Sequence, residues 1–196
     1  MISDCTLPIL DLCLNSTFLT ASECLVLADN VRVKSLRTLD LSCNPITAVG
    51  LLNLVHPRRS QFEQLTNLIL YNCEIDFTQA FLISNDNMDE CKCVFHLKSL
   101  NMSHNNLAFF LNYISELELI NPALEKLQLV GCTLNDEHVM QLAESKKLGQ
   151  IQSIDLSENF IERNFQTIFK AFKDKCDFLV NFSAAENPGI RYCGNM

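Results

Sequence analysis

The stretch LRTLDLSCNPI, residues 36–46, carries a pattern that recurs along the whole chain. Its apolar residues follow the frame L-x-x-L-x-L-x-x-N-x-L, with Asn44 at the ninth position. Leu39 and Leu41 alternate with polar residues, which is the period of a short strand with one buried face. The side-chain amide of Asn44 can bond backbone groups that a turn leaves unpaired. The stretch therefore predicts a strand followed by a turn that an asparagine supports.

The frame recurs in seven units, which begin near residues 7, 36, 65, 97, 124, 151 and 179. Such spacing is typical of leucine-rich repeats and predicts one repeat domain over residues 1–196. The third unit is the longest, and its polar segment 84–96 is predicted to be an insertion loop. The predicted structural ladder at the ninth position consists of Asn15, Asn44, Cys73, Asn105, Cys132, Asn159 and Asn187.

Repeats of this length, with asparagine or cysteine at the ninth position, resemble the ribonuclease-inhibitor-like class of leucine-rich repeat proteins. The resemblance covers nearly all of the chain. It implies an α/β solenoid shaped like a horseshoe, with a parallel sheet on the concave face and helices on the convex face. The last unit departs from the pattern at Phe182 and Ala184. Members of the class inhibit ribonucleases, activate a small GTPase, cap actin or sense ligands, so the resemblance leaves the function open.

The composition predicts an intracellular protein. No stretch of about 18 apolar residues suggests a membrane span, and the first 30 residues lack the features of a signal peptide. The chain has ten cysteines. Because Cys73 and Cys132 occupy the ninth position of their units, we expect reduced thiols rather than a secreted disulfide framework. The expected localisation is cytoplasmic or nuclear, without contact with a membrane.

No arrangement of residues predicts catalysis. The four histidines fall in different units, and the five glycines are spread singly, without a phosphate-binding loop. Cys91, Cys93 and His96 have a metal-like spacing, but zinc usually needs four ligands and no second pair lies nearby. We therefore expect no enzyme activity, no cofactor and no metal site. Basic residues form no extended stripe, so nucleic acid is not the expected partner.

Strand positions between the leucines are predicted to project from the concave face. Seven strands at about 4.8 Å would span roughly 29 Å, which suits a protein or peptide. Ile69 and Tyr71 form an exposed pair that the repeat does not require, so they are the expected anchors unless the loop 84–96 covers them. The predicted partner-binding residues are Asp40, Ile69, Tyr71, Asn101, Ser103, Lys126, Gln128 and Asp155.

The expected function is a protein–protein interaction module, either monomeric or part of a longer chain. The formal net charge of −8 favours a basic partner. Two alternatives stay open at this point. One is a regulator of an enzyme, similar to the Ran GTPase-activating protein or to a ribonuclease inhibitor. The other is a fragment of a larger innate-sensor array, because no polar cap precedes the first predicted strand.

Overall fold

The computed structural model describes residues 8–30, 33–55, 60–78, 96–108 and 121–191. Within these ranges, seven strands form one open parallel sheet in which every strand pairs with the next strand along the chain. The strands are β1 (Asp11–Cys13), β2 (Thr38–Asp40), β3 (Asn67–Ile69), β4 (Ser99–Asn101), β5 (Lys126–Gln128), β6 (Ser153–Asp155) and β7 (Asn181–Ser183). This order is that of stacked repeats, and it confirms the predicted α/β solenoid.

Helices follow several of the strands. Those in the described ranges are α1 (Ala21–Ala28), α2 (Thr47–Leu54), α3 (Asp136–Glu144), α4 (Phe165–Lys173) and α5 (Pro188–Arg191). Asn135 begins α3 and accepts the backbone N–H of His138 at 3.1 Å; Asn164 begins α4 and accepts that of Thr167 at 3.0 Å. None of the described helices combines the length and the apolar character that a membrane span requires.

The core is a stack of leucine layers between the sheet and the helices. Leu39, Leu68, Leu100 and Leu127 lie at the centres of adjacent strands, and each is at most 2% exposed. The register pairs them in sequence and continues to Ile154 on β6. Each strand centre therefore contacts two neighbouring repeats, and every layer contributes to the burial of the next.

The first unit lies two residues later than the predicted frame. β1 pairs Leu12 with Leu39, whereas the frame had matched Leu10 to that position. The left-handed residue of the following turn agrees with this shift, because Ser16 (φ 53°) takes the place of Cys43 (φ 55°). Apolar residues at alternating positions fit both frames, and a slip of two residues keeps every side chain on its face. The frame of this unit thus begins at residue 9, and residue 7 lies outside the described ranges.

The shift also corrects the predicted ladder. Thr17 occupies the ninth position, and Asn15 is exposed in the preceding turn, so the prediction for Asn15 is wrong. Thr17 Oγ1 donates to Leu14 O at 2.8 Å, as Asn44 Nδ2 donates to Leu41 O at 2.8 Å. The predicted insertion loop 84–96 lies outside the described ranges except for its last residue.

Candidate functional site

Buried asparagines hold the turns at the carboxyl ends of the strands. Asn105 Oδ1 accepts the backbone N–H groups of Cys73 (2.9 Å) and Ile75 (3.0 Å). Its Nδ2 donates to Leu70 O (2.7 Å) and Met102 O (2.8 Å). Because these bonds join two repeats and satisfy the buried amide, they fix the turn and the strand before it. The same four kinds of bond are made by Asn44 and Asn159.

Two cysteines take the asparagine position in other units and act as donors. Cys73 Sγ donates to Leu41 O at 3.2 Å, and Cys132 Sγ donates to Met102 O at 3.3 Å. Burial raises the pKa of Cys73 to about 11 and that of Cys132 to about 12. Both thiols therefore keep at neutral pH the proton that these hydrogen bonds need.

Five of the predicted binding residues form one continuous row across the concave face, the sheet face away from the helices. The register pairs Asp40 with Ile69, Ile69 with Asn101, Asn101 with Gln128, and Gln128 with Asp155. We call these five residues the central row. All five are half-buried. At about 4.8 Å per strand, the row spans roughly 19 Å.

The structure adds His104, which lies in the turn after β4, at the carboxyl ends of the central strands. The ring of Tyr71, which is 39% exposed, meets the exposed ring of His104 edge-on, with centroids 4.9 Å apart. Gly131 leaves space for the imidazole, since a Cβ at this position would lie 2.9 Å from His104 Nδ1. Ile69 is the last residue of β3, two residues before Tyr71, and with this ring pair it provides an apolar and aromatic platform.

The other two predicted residues lie in different environments. Ser103 is 3% exposed, and its Oγ accepts the backbone N–H of Val130 at 3.1 Å. It therefore supports the sheet and does not offer an accessible contact, contrary to the prediction. Lys126 is exposed at the start of β5, two residues before Gln128. It is the basic side chain among the outward-facing strand positions of the concave face.

The two aspartates of the central row are held in the same way. Asp40 Oδ1 accepts the backbone N–H (2.9 Å) and hydroxyl (2.5 Å) of Ser42. Asp155 Oδ1 accepts the same groups of Ser157 at 3.0 and 2.7 Å. Among the described residues, the second oxygen of Asp40 accepts a hydrogen bond only from the thiol of Cys13, at 3.7 Å. Within the described ranges, no lysine or arginine forms an ion pair with either carboxylate.

The described residues contain no group of three or more His, Cys, Asp or Glu placed to hold a metal ion. Cys91 and Cys93, whose spacing to His96 is like that of metal ligands, lie outside the described ranges. The chemistry that the concave face offers is therefore that of a surface: an apolar platform, two side-chain amides and carboxylates on both sides.

Two similarities to known proteins accompany this geometry. A model of the Leucine Rich repeat family matches residues 34–55 and 95–108, the segments that contain β2 with α2 and β4 with its turn. Leucine-rich repeat-containing protein 14 of Mus musculus is 29% identical over 142 residues, which is 69% of this chain and 28% of that protein. The chain thus spans less than a third of that relative. Neither match separates the ribonuclease-inhibitor-like class from others, so that class stays a prediction. The repeated frame, the parallel register and these matches together support a leucine-rich repeat fold for the chain.

Proposed function

We propose that the protein is an interaction module that holds a protein or peptide partner on its concave face. Binding of proteins is typical of leucine-rich repeat proteins. The observation that carries the proposal is the platform of Ile69, Tyr71 and His104 at the carboxyl ends of β3 and β4, midway along a wide, regular sheet. Accessible aromatic and apolar side chains at the centre of a surface are the usual anchors of protein interfaces.

The rigidity of the face supports this function. The buried amides of Asn44, Asn105 and Asn159 bond the backbone of two repeats each, so the strand ends are fixed before a partner arrives. A surface that is already ordered loses little conformational entropy on binding. Most of the free energy of the contacts between the partner and the platform therefore contributes to the affinity.

The charge of the face favours a basic partner. Asp40 and Asp155 lie in the central row and form no ion pair with a described lysine or arginine, and Glu158 and Glu186 follow the last two strands at exposed turn positions. Together with the net charge of −8, these carboxylates raise the rate of encounter with a cationic surface. Lys126 acts against this attraction at one place on the face.

The cysteines support a reducing compartment, the cytoplasm or the nucleus, as the place where the module works. Six cysteines fall in the described ranges, and all six are free thiols. Cys73 and Cys132 use their S–H groups as donors inside the turns, and a disulfide would remove those bonds. Reduced thiols are the rule in these compartments.

Substitution of the platform tests the proposed binding face. Ile69→Ser combined with Tyr71→Ala should weaken partner binding by about 2 kcal/mol, roughly thirtyfold in Kd, because central anchors contribute that much. The partner is captured with the wild-type chain, and its affinity for both proteins is measured by calorimetry. Since Tyr71 is exposed and Ile69 is only half-buried, the thermal midpoint should stay nearly unchanged.

The matched control is Val26→Ser on α1, which alters a valine that is 69% exposed on the opposite side of the molecule. It should leave the affinity unchanged. If the platform variant binds as tightly as the wild type, the partner contacts another surface and the proposal is wrong.

A further inference from the structure

The two ends of the central row carry equivalent carboxylates. Asp40 on β2 and Asp155 on β6 occupy the same register position, and one oxygen of each is held by the serine two residues later. This bond fixes the direction of each carboxylate. The other oxygen is bonded only weakly in Asp40, and in Asp155 it accepts no hydrogen bond from the rest of the described chain. Each end of the row is therefore an oriented acceptor that forms no ion pair with a cation in the described part of the chain.

The residues between these ends are uncharged. Ile69 is apolar and precedes Tyr71 by two residues. Asn101 and Gln128 follow, and neither the amide nitrogen of Asn101 nor the side-chain amide of Gln128 bonds another described residue. Free side-chain amides match the unpaired N–H and C=O groups of an extended peptide, whereas the backbone of a helix is already bonded internally. The middle of the row thus favours an extended segment.

The length of the row determines how far apart two cationic side chains must lie on a bound segment to reach both carboxylates. An extended chain advances about 3.3 Å per residue, so roughly 19 Å between Asp40 and Asp155 corresponds to about six residues. An even separation places both side chains on the same face of the segment. We propose that the concave face binds an extended segment that crosses the strands, with lysine or arginine at positions i and i+6 and apolar side chains between them. This inference rests on the proposed function and specifies the partner of the same surface.

Two synthetic peptides of equal composition test the spacing. In the first, KSLSLSK, the lysines stand at positions 1 and 7, and the symmetry of the sequence makes the result independent of the direction of binding. In the second, KSLSKSL, they stand at positions 1 and 5. We expect the first peptide to bind the complete chain about tenfold more tightly by fluorescence anisotropy at low salt, because only it reaches both carboxylates.

Variants of the chain assign the effect to the two aspartates. Asp40→Asn and Asp155→Asn keep an amide oxygen for the neighbouring serine and remove the charge, so each should abolish the preference for KSLSLSK. Glu144→Gln removes one charge from an exposed position on α3 and should preserve the preference. Asp155→Lys should restore tight binding of KSLSLSE, in which a terminal lysine is replaced, and circular dichroism checks that each variant is folded.

Equal affinities for the two peptides, or failure of both to bind, would overturn the inference. If both bind equally and both are lost on the Ile69→Ser, Tyr71→Ala chain, the concave face still binds peptides and only the spacing is wrong. If the Ile69→Ser, Tyr71→Ala chain instead binds the captured partner as tightly as the wild type does, the proposed function itself is contradicted.

Discussion

One asparagine side chain joins two repeats at each of several turns. Asn105 is 4% exposed and bonds two N–H groups of the preceding repeat together with carbonyls from both repeats. An alanine has no group that replaces these bonds, and water has little access to the site. The asparagine is therefore required by the backbone around it, whatever the protein binds.

We expect Asn105→Ala to lower the free energy of unfolding by about 3 kcal/mol, because several buried backbone groups lose their partner. Urea denaturation followed by circular dichroism measures the change. Asn181→Ala, at an exposed position of β7, is the control and should change stability by less than about 0.5 kcal/mol. Equal effects of the two substitutions would contradict the role of the buried amide.

Lys126 is a residue whose removal should improve function. Its exposed ammonium lies two residues before Gln128, on the strand next to Asp155, and repels a cationic partner. Lys126→Ala should tighten the binding of KSLSLSK about two- to fivefold at low salt, and the gain should shrink as salt screens the charge. Lys170→Ala on the exposed side of α4 should have no such effect. Weaker binding by the Lys126 variant would show that this lysine contacts the ligand favourably.

At the level of the strand, the frame predicted six of the seven strand centres, from Leu39 on β2 onward, because each has one leucine pattern and one possible register. The first unit has apolar residues at alternating positions from Leu10 to Leu14, so two frames fit its sequence. Only pairing decides between them: Leu14 N donates to Asp40 O at 2.8 Å, which sets β1 against β2. The sequence pattern of a single strand carries no information about this contact with the neighbouring strand.

The central strands also provide a test of cooperativity. Leu127 is fully buried at the centre of β5 and pairs with Leu100 and Ile154 on the adjacent strands. Leu127→Asp places a charge between two layers, so the folded structure should be lost in both neighbouring repeats as well as in its own. Hydrogen exchange measured by mass spectrometry should show lost protection over β4, β5 and β6.

Lys126→Asp is the matched control for this substitution, because it introduces the same side chain at an exposed position of the same strand. It should leave the exchange pattern intact. Loss of protection confined to β5 in the Leu127 variant would show that the repeats unfold independently.

For the whole molecule, the sequence predicted the sheet and the central row, because both follow from the period of two and the repeat. It did not predict the role of His104 or the burial of Ser103. The ring of His104 meets Tyr71 from the neighbouring repeat, and Ser103 is bonded to Val130 of the next repeat. Both outcomes depend on pairs of residues in different units. The frame describes each unit separately, so contacts between units can be identified only from the structure of the assembled sheet.

The distribution of thiols over the whole molecule gives a final prediction. Cys13 and Cys43 are exposed, whereas Cys24, Cys73 and Cys132 are buried. Burial raises the pKa of Cys24, Cys73 and Cys132 to about 11–12, and it also raises the pKa of the buried Cys176, so at pH 7.5 the first three hold almost no thiolate, which is the form that reacts. Among the six cysteines of the described ranges, iodoacetamide should therefore modify Cys13 and Cys43 first in the native protein. After denaturation without reductant, mass spectrometry should count all ten cysteines of the chain as alkylated, and protected pairs would contradict a reducing compartment.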